Sequence, residues 1–199
     1  MVDSIRSDAR RNRERLLDAA AAAFGAADGR PVSLESIARA AGVGIGTLYR
    51  HFPSRDLLAE AVYRAELAEV AAAAGQLLER HPPKEALRHW MDRYASFVAA
   101  KRGMADSLHA MVESGAVERS QTRASIVGAV DTLLRAGAED GSLRADVQAD
   151  DVVSSLLGIF LASGSPDQMG RMLDLLVAGV TATPAPRWGH RTLAGDTPE

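Results

Sequence analysis

Residues 33–55 constrain the fold most, because signals that start and stop helices follow one another closely there. Ser33 is a favourable N-cap for a helix that Gly42 ends, since glycine readily adopts the left-handed backbone of a C-terminal cap. A second helix covers residues 45–51, and Pro53 then disfavours helical backbone at the residue before it. The sequence therefore predicts two short helices joined by a three-residue turn at 42–44.

Longer helices are predicted on both sides of this pair. Before it, apolar residues recur at helical spacing over residues 9–24, while arginines face away. After it, Ser54 caps a fourth helix that runs to about Gln76. We therefore expect residues 1–55 to form a three-helix domain of the helix-turn-helix type.

The spacing of small and apolar residues fits the packing of a helix-turn-helix. Ala38 lies four residues before Gly42 and allows the two short helices to cross closely. Ile37 and Leu48 supply apolar anchors that fix the crossing, so that the helix at 45–51 protrudes into a major groove. Helical hairpins without a DNA function have the same pattern, so this alternative stays open.

Charge is divided unevenly along the chain. Residues 1–55 contain nine arginines and six acidic residues, a net charge of +3, whereas the remaining residues carry −6 and the whole chain −3. This asymmetry suits a basic DNA-reading end on an acidic body. An arginine-rich, solvated helix would give the same asymmetry.

The rest of the chain is also predicted to be helical, which makes the fold class all-α. Hydrophobic residues make up 47% of the chain, but aromatic residues make up only 5%, which favours closely packed helices over a sheet. The predicted domains are a helix-turn-helix domain at 1–55 and a helical domain at 56–180, to which the family resemblance described below gives effector binding and dimerisation, followed by a disordered tail at 181–199. Beyond the fourth helix, we expect helices ending near 101 and at about 104–113, 119–137, 149–162 and 167–180.

The composition excludes several classes of function. The chain has no cysteine, so it has no disulfide, thiolate nucleophile or cysteine-bound metal. No glycine-rich phosphate loop or nucleophile elbow is present, and we expect neither enzyme activity nor a cofactor. His109 and Glu113 have a spacing that can hold a metal but more often gives a hydrogen-bonded pair. The polar N-terminus and short apolar stretches predict a cytoplasmic protein without a membrane span.

The chain resembles TetR-type transcriptional regulators over residues 9–62. The matching stretch at 42–62 reads GVGIGTLYRHFPSRDLLAEAV, and it follows RERLLDAAAAAFGAADGRPVSLESIARAAGV. The resemblance implies operator DNA and a small-molecule effector as partners, a homodimer paired through its last two long helices, and a repressor function. A helical dimeric adaptor that has lost operator binding is the alternative.

The resemblance also assigns DNA contacts. It makes residues 45–51 the recognition helix, places Thr47 for a base-edge or phosphate contact, and lets Tyr49 and His51 reach the DNA backbone. Arg55 stands where the family usually has a phosphate-clamping lysine, and hydroxyl, imidazole and guanidinium groups are the donors that phosphate oxygens accept. The expected DNA-binding residues are Ser33, Ile45, Gly46, Thr47, Tyr49, Arg50, His51 and Arg55.

Two positions depart from the family pattern. The family often has serine or threonine followed by a polar residue where this chain has Gly44 and Ile45. Ile45 suits contact with a thymine methyl group, and Arg50 suits either a guanine or the DNA backbone. These departures predict a different operator preference, and they also keep the adaptor alternative open.

Candidate residues for the effector and dimer sites are large or polarisable side chains of the second domain. Each set has intramolecular core packing as its alternative. The candidate effector residues are Trp90, Tyr94, Phe97, Met104, His109 and Met111, with Phe160 as a possible addition. The candidate dimer residues are Val153, Leu156, Phe160, Met169, Met172, Leu173 and Leu176.

Overall fold

The computed structural model of the chain describes residues 2–26, 32–101 and 119–182, which form eight helices. This architecture confirms the all-α prediction. Within the described ranges, the one extended pairing is an isolated antiparallel bridge between Leu143 and Thr181. The helices are α1 (Val2–Ala26), α2 (Leu34–Ala40), α3 (Ile45–His51), α4 (Arg55–Leu78), α5 (Pro83–Lys101), α6 (Arg119–Glu139), α7 (Ala149–Ala162) and α8 (Pro166–Val180).

The helices agree closely with the sequence prediction. The main difference is α1, which begins at Val2 rather than near residue 9. The helix expected at 104–113 lies outside the described residues. The start of the expected tail is paired instead, because the Ala182 amide donates to the Ser142 carbonyl at 3.0 Å. Residues 183–199 also lie outside the described part of the chain.

The turn between α2 and α3 depends on a left-handed glycine. Gly42 has a φ of 65°, a backbone conformation that residues other than glycine rarely adopt. The Gly42 amide donates to the Arg39 carbonyl at 3.1 Å, and the Val43 amide donates to the Ala38 carbonyl at 3.0 Å. These two bonds form a Schellman cap, which satisfies the last carbonyls of α2 and turns the chain into α3.

The first hydrophobic core joins α1, α2 and α3 to the beginning of α4. It is rich in alanine, so the helices approach one another closely. Because α4 contributes to this core, the packed unit extends past the predicted boundary at residue 55. We call this set the N-terminal core: Leu16, Ala20, Phe24, Ile37, Ala38, Ala41, Leu48, Phe52, Leu58, Ala59 and Val62.

The second hydrophobic core lies among α4 to α8 and contains larger side chains. Trp90 is fully buried, and its indole Nε1 donates to the Val70 carbonyl at 2.8 Å. This bond ties α5 to α4 and satisfies the single polar atom of the indole. We call this set the C-terminal core, and its largest fully buried members are Leu87, Trp90, Met91, Ile126, Leu133, Leu143, Leu156 and Leu173.

A close contact of Gly137 fixes the end of α6 against the bridge. A Cβ atom at Gly137 would lie 2.4 Å from the Leu143 side chain, so only glycine fits there. Beside this contact, the Arg144 amide donates to the Val180 carbonyl at 2.9 Å, and the Arg144 guanidinium pairs with Asp146. The bridge therefore holds the C-terminal end of α8 against the turn that follows α6.

Helix α4 connects the two cores. Tyr63 is the residue of α4 that packs against both of them, with its half-buried side chain. Its ring lies 5.6 Å from that of Phe97 on α5, and its hydroxyl shares a hydrogen bond with Thr122 on α6. None of the helices described is both long enough and apolar enough to cross a membrane.

Candidate nucleic-acid interface

Helix α3 buries one face and exposes the other. Leu48 is fully buried in the N-terminal core and anchors the helix. Ile45, Tyr49 and Arg50 are exposed, and Tyr49 leaves 46% of its surface open to solvent. Exposed aromatic and apolar side chains beside an arginine are unusual on a solvated helix, and they suit a surface that contacts bases.

Arg50 is held by its own helix. Its Nε donates to the Gly46 carbonyl at 3.2 Å, and its Nη2 donates to the Thr47 hydroxyl at 3.4 Å. Arg50 and Thr47 therefore lie together on the outer side of α3. These two bonds use the Nε and one N–H of Nη2, so the N–H groups of Nη1 and Nη2 at the tip of the guanidinium are left for a bidentate contact with guanine.

His51 and Phe52 end α3 with different roles. Phe52 is buried in the N-terminal core, as expected for a core aromatic, and its ring lies 5.2 Å from the Arg13 guanidinium carbon. His51 is half-buried at the edge of the same region. Arg13 was not among the predicted site residues, and its position beside the end of α3 follows only from the crossing of α1.

Arg55 occupies the first position of α4 and is exposed. Its guanidinium carbon lies 5.9 Å from the ring centre of Phe24, which restrains the side chain. The Ser54 hydroxyl accepts a hydrogen bond from the Leu57 amide at 3.2 Å and caps the helix. Arg55 thus presents a restrained positive charge at a helix N-terminus, where the dipole also favours an anion.

Ser33 already uses its hydroxyl within the chain. The hydroxyl accepts from the Ser36 amide at 3.4 Å and donates to the Glu35 carboxylate at 2.6 Å. This hydrogen bond lowers the pKa of Glu35 below its ordinary value. Because the carboxylate is negative and exposed, it repels a phosphate and makes phosphate binding at Ser33 less favourable.

Arg10 and Arg11, near the N-terminus of α1, are exposed and have acidic partners. Arg10 lies 3.9 Å from Glu14, and Arg11 lies 3.3 Å from Asp8. Exposed pairs of this kind contribute little to stability. Both arginines therefore lie on a solvated helix end, paired with acidic residues of the same helix.

The predicted effector residues fall into three groups. Trp90 is fully buried in the C-terminal core, where it has the packing role that was the alternative to a pocket. Tyr94 and Phe97 stand in an aromatic cluster, with ring centres 6.2 Å apart, and the Phe160 ring lies 5.4 Å from that of Tyr94. Met104, His109 and Met111 lie outside the described residues.

Burial makes two tyrosines of the aromatic cluster harder to deprotonate. It raises the pKa of Tyr94 to about 12, with a smaller contribution from Tyr63 and an opposing one from the Arg123 charge. Burial also raises the pKa of Tyr63, and its hydrogen bond with Thr122 opposes the rise. Tyr63 and Thr122 were missed in the sequence, because nothing local brings residues so far apart together.

Four predicted dimer residues require correction. Val153, Leu156, Phe160 and Leu173 are at most 2% exposed within a single chain, so they have almost no surface left for a second one. Their burial in the C-terminal core follows from the packing of α7 and α8 against α5 and α6. The other three predicted residues are half-buried and pack against the same core: Met169, Met172 and Leu176.

Other leucines occupy the exposed surface of α7 and α8. Leu161 is 88% exposed and Leu175 71%, and Leu157 is also exposed. The sequence indicates these exposed leucines, because α7 and α8 have apolar residues around more of the helix than is needed to face one core. Among the described residues, no group of three or more histidine, aspartate and glutamate side chains is placed to hold a metal ion.

These features define a class of protein. A short exposed helix on a helix-turn-helix core, joined by α4 to a larger helical domain, is the arrangement of a DNA-binding regulator with a separate regulatory domain. The family comparison agrees, since residues 16–62 match the model for bacterial regulatory proteins of the tetR family. Residues 82–182 match the C-terminal domain of SbtR-like transcriptional regulators. The chain belongs to the TetR family of transcriptional regulators.

Solved structures of TetR regulators agree with this assignment. The regulator SCO0520 from Streptomyces coelicolor is 43% identical, with a TM-score of 0.76, and the match covers 86% of this chain and 99% of that one. A TetR regulator from Mycobacterium vanbaalenii is 31% identical, with a TM-score of 0.71 and coverage of 89% and 99%. No curated protein matches the chain. Proteins of this family are transcription factors and not enzymes, which confirms the prediction of a non-enzymatic protein.

Proposed function

We propose that the chain is a dimeric, sequence-specific repressor that a small-molecule effector releases from operator DNA. The exposed face of α3, opposite the buried Leu48, carries this proposal. It presents a hydroxyl, a phenol and a guanidinium within two turns of helix, on an element that protrudes from the N-terminal core. These groups complement base edges and phosphate oxygens.

Each side chain of this face has a separate role in the proposal. Thr47 and Arg50, which share a hydrogen bond, read base edges through the Thr47 hydroxyl and the remaining N–H groups of Arg50. Ile45 contacts a thymine methyl group. Tyr49 and Arg55 hold the phosphate backbone and set the register. The base contacts of Ile45, Thr47 and Arg50 determine which operator is chosen. The phosphate contacts of Tyr49 and Arg55 determine how tightly any duplex is held.

The remaining predicted contacts are peripheral. His51, half-buried at the end of α3, is positioned to reach the backbone beside Tyr49. Gly46 is exposed and leaves open space where a Cβ would stand, so the DNA can approach α3 closely there. Ser33 contributes its backbone at the start of α2 more than its hydroxyl, which Glu35 already engages.

The aromatic cluster around Tyr94 is the proposed place where an effector acts. Tyr94 and Phe97 face Tyr63 of α4, which packs against both hydrophobic cores. An effector can change DNA affinity only if it binds the two conformations of the protein differently. A ligand that displaces Tyr63 meets this condition, because it changes how α4 packs on the N-terminal core.

Dimerisation in this proposal uses the exposed leucines of α7 and α8. Leu157 and Leu161 lie one turn apart on α7, Leu175 lies on the neighbouring α8, and all three are exposed, which suits pairing with a second apolar surface. A two-fold axis through this surface would present two α3 helices to one face of a duplex. The repressor role rests on the family resemblance.

Selection of tightly bound duplexes from a random DNA library tests the proposal. We expect enrichment of a palindrome whose half-sites are about one helical turn, or a multiple of it, apart. A Thr47→Ala, Arg50→Ala double variant should enrich a different or weaker consensus. Arg55→Ala should keep the wild-type consensus with lower affinity. Absence of any enriched sequence with the wild-type protein would instead support the adaptor alternative.

A further inference from the structure

Two histidines meet at the turn between α4 and α5. His81 precedes α5 and His89 lies within it, and their ring centroids are 4.6 Å apart with planes inclined by 51°. His81 is half-buried and His89 is exposed, so solvent reaches the pair. The proposed DNA and effector functions make no use of either residue.

The spacing of the two rings fits shared coordination of one ion. Metal–nitrogen bonds of about 2.0–2.1 Å put the ring centres roughly 4.5 Å apart on adjacent square-planar positions, and roughly 5.2 Å apart on a tetrahedral ion. The observed 4.6 Å lies within the range that these two arrangements span. Imidazole suits late transition metals, and the affinity of a given set of nitrogen ligands rises along the first row to Ni²⁺ and Cu²⁺.

The backbone holds both histidines near their binding positions. The His81 amide donates to the Leu77 carbonyl at 2.9 Å, which fixes His81 against the last turn of α4. His89 lies on α5, next to the fully buried Trp90. Because both backbones are fixed, an ion has only to order two side chains, which lowers the entropic cost of binding.

We propose that His81 and His89 form a binding site for a divalent late transition-metal ion, with Cu(II) or Ni(II) as the preferred occupant. The protein supplies two imidazole ligands, and water completes the coordination. The bound ion would link the C-terminal end of α4 to α5 and stabilise the folded chain. The proposal does not depend on DNA binding.

Isothermal titration of Ni²⁺ into the full-length, tag-free chain tests this site. We expect one ion per chain with the wild-type protein, and binding at least tenfold weaker with either His81→Gln or His89→Gln. His190→Gln is the matched control, because it removes a histidine outside both the pair and the proposed DNA contacts, and it should bind Ni²⁺ as the wild type does. Circular dichroism checks that each variant is folded.

The spectrum of bound Cu²⁺ provides a second readout. Electron paramagnetic resonance of the wild type with one equivalent of Cu²⁺ should show a tetragonal site with two nitrogen ligands, and His89→Gln should lose this signature. The proposal fails if the wild-type chain binds neither ion. It also fails if both glutamine variants bind Ni²⁺ as tightly as the wild type.

Discussion

The two regions around the hydrophobic cores differ in the sequence separation of the residues whose hydrogen bonds and ion pairs hold them together. The N-terminal region is fixed by local bonds, such as the Ser36 amide to Ser33 and the Val43 amide to Ala38. The C-terminal region depends on distant ones, such as Trp90 to the Val70 carbonyl and Arg88 to Asp174. Local bonds leave a recognisable pattern in the sequence, whereas distant ones do not.

The two regions also place their functional side chains differently. In the N-terminal region, the candidate residues project from α3 into solvent, while small alanines fill the core behind it. In the C-terminal region, the large side chains that suggest a binding site are mostly in the core. Size and polarisability therefore indicate packing there, and exposure is the better guide to an interface.

The largest expected effect tests the packing role of the C-terminal core. Trp90→Ala should lower the free energy of unfolding by about 3–5 kcal/mol, because it leaves a cavity and removes the hydrogen bond from the indole to the Val70 carbonyl. Chemical denaturation measures the change. Tyr49→Ala, at an exposed position, is the control and should stay within about 0.5 kcal/mol of the wild type. A loss below about 1 kcal/mol for Trp90→Ala would remove Trp90 from the core and restore it as a pocket residue.

The exposed leucines give the next largest effect. Leu161→Asp should weaken the proposed dimer roughly a hundredfold, because each two-fold interface contains the substitution twice. Sedimentation velocity over a range of concentrations measures the dimer dissociation. Leu57→Asp changes an exposed leucine outside α7 and α8 and should leave the dimer intact. An unchanged dimer in Leu161→Asp would move the interface to another surface.

The dependence of the unfolding free energy on alkaline pH tests the difference in burial between the two regions. Burial raises the pKa of Tyr94 to about 12, whereas an unfolded tyrosine has its ordinary value of 10.0. The unfolded chain therefore loses this proton first, and the stability contributed by the neutral phenol is full below pH 10 and falls as pH rises towards 12. The expected loss is about 2 kcal/mol.

Unfolding free energies of the wild type and Tyr94→Phe, measured between pH 9 and about pH 12, test this expectation. Tyr94→Phe should show a smaller decline with pH, whereas Tyr49→Phe should decline as the wild type does. Parallel curves for wild type and Tyr94→Phe would mean that Tyr94 is solvated in the folded protein.

The smallest effect concerns the residue shared by both cores. Tyr63→Phe and Thr122→Val should each cost about 1 kcal/mol of stability, with a coupling energy of at least about 0.5 kcal/mol in the double-mutant cycle, because the two side chains share a hydrogen bond. Operator affinity of Tyr63→Phe should change as well, whereas that of Thr132→Val, which loses another α6 hydroxyl, should not. If the stability losses of the two single variants simply add in the double variant, the hydrogen bond between Tyr63 and Thr122 contributes nothing to stability.

Local signals therefore predicted the fold far better than the contacts of the aromatic cluster around Tyr94. Ser33, Gly42 and Pro53 mark helix ends through their own backbone preferences, and the helices from α2 to α8 begin and end within a few residues of expectation. The exposed residues of α3 were predictable for the same reason. Tyr63 was not, since its neighbours Phe97 and Thr122 come from other helices.

The dimer residues illustrate a second limit. An apolar helix such as α7 has one face for its own core and another for a partner, and periodicity alone does not distinguish them. Val153 and Leu156 were assigned to the partner but belong to the core, while Leu161 points outward. Assigning these faces requires knowing how α7 crosses α6, and that crossing brings together residues far apart in sequence, such as Arg123 and Asp150.

Fluorescence anisotropy across a salt series, with the selected palindrome and a random duplex, tests the central claim that α3 reads the operator. The wild-type protein should bind the palindrome about a thousandfold more tightly or better. Tyr49→Ala should weaken binding to both duplexes about tenfold. The Thr47→Ala, Arg50→Ala double variant should lose most of the preference for the palindrome. Equal binding of both duplexes by the wild type, or full selectivity in the double variant, would contradict the assignment of α3 as the recognition helix.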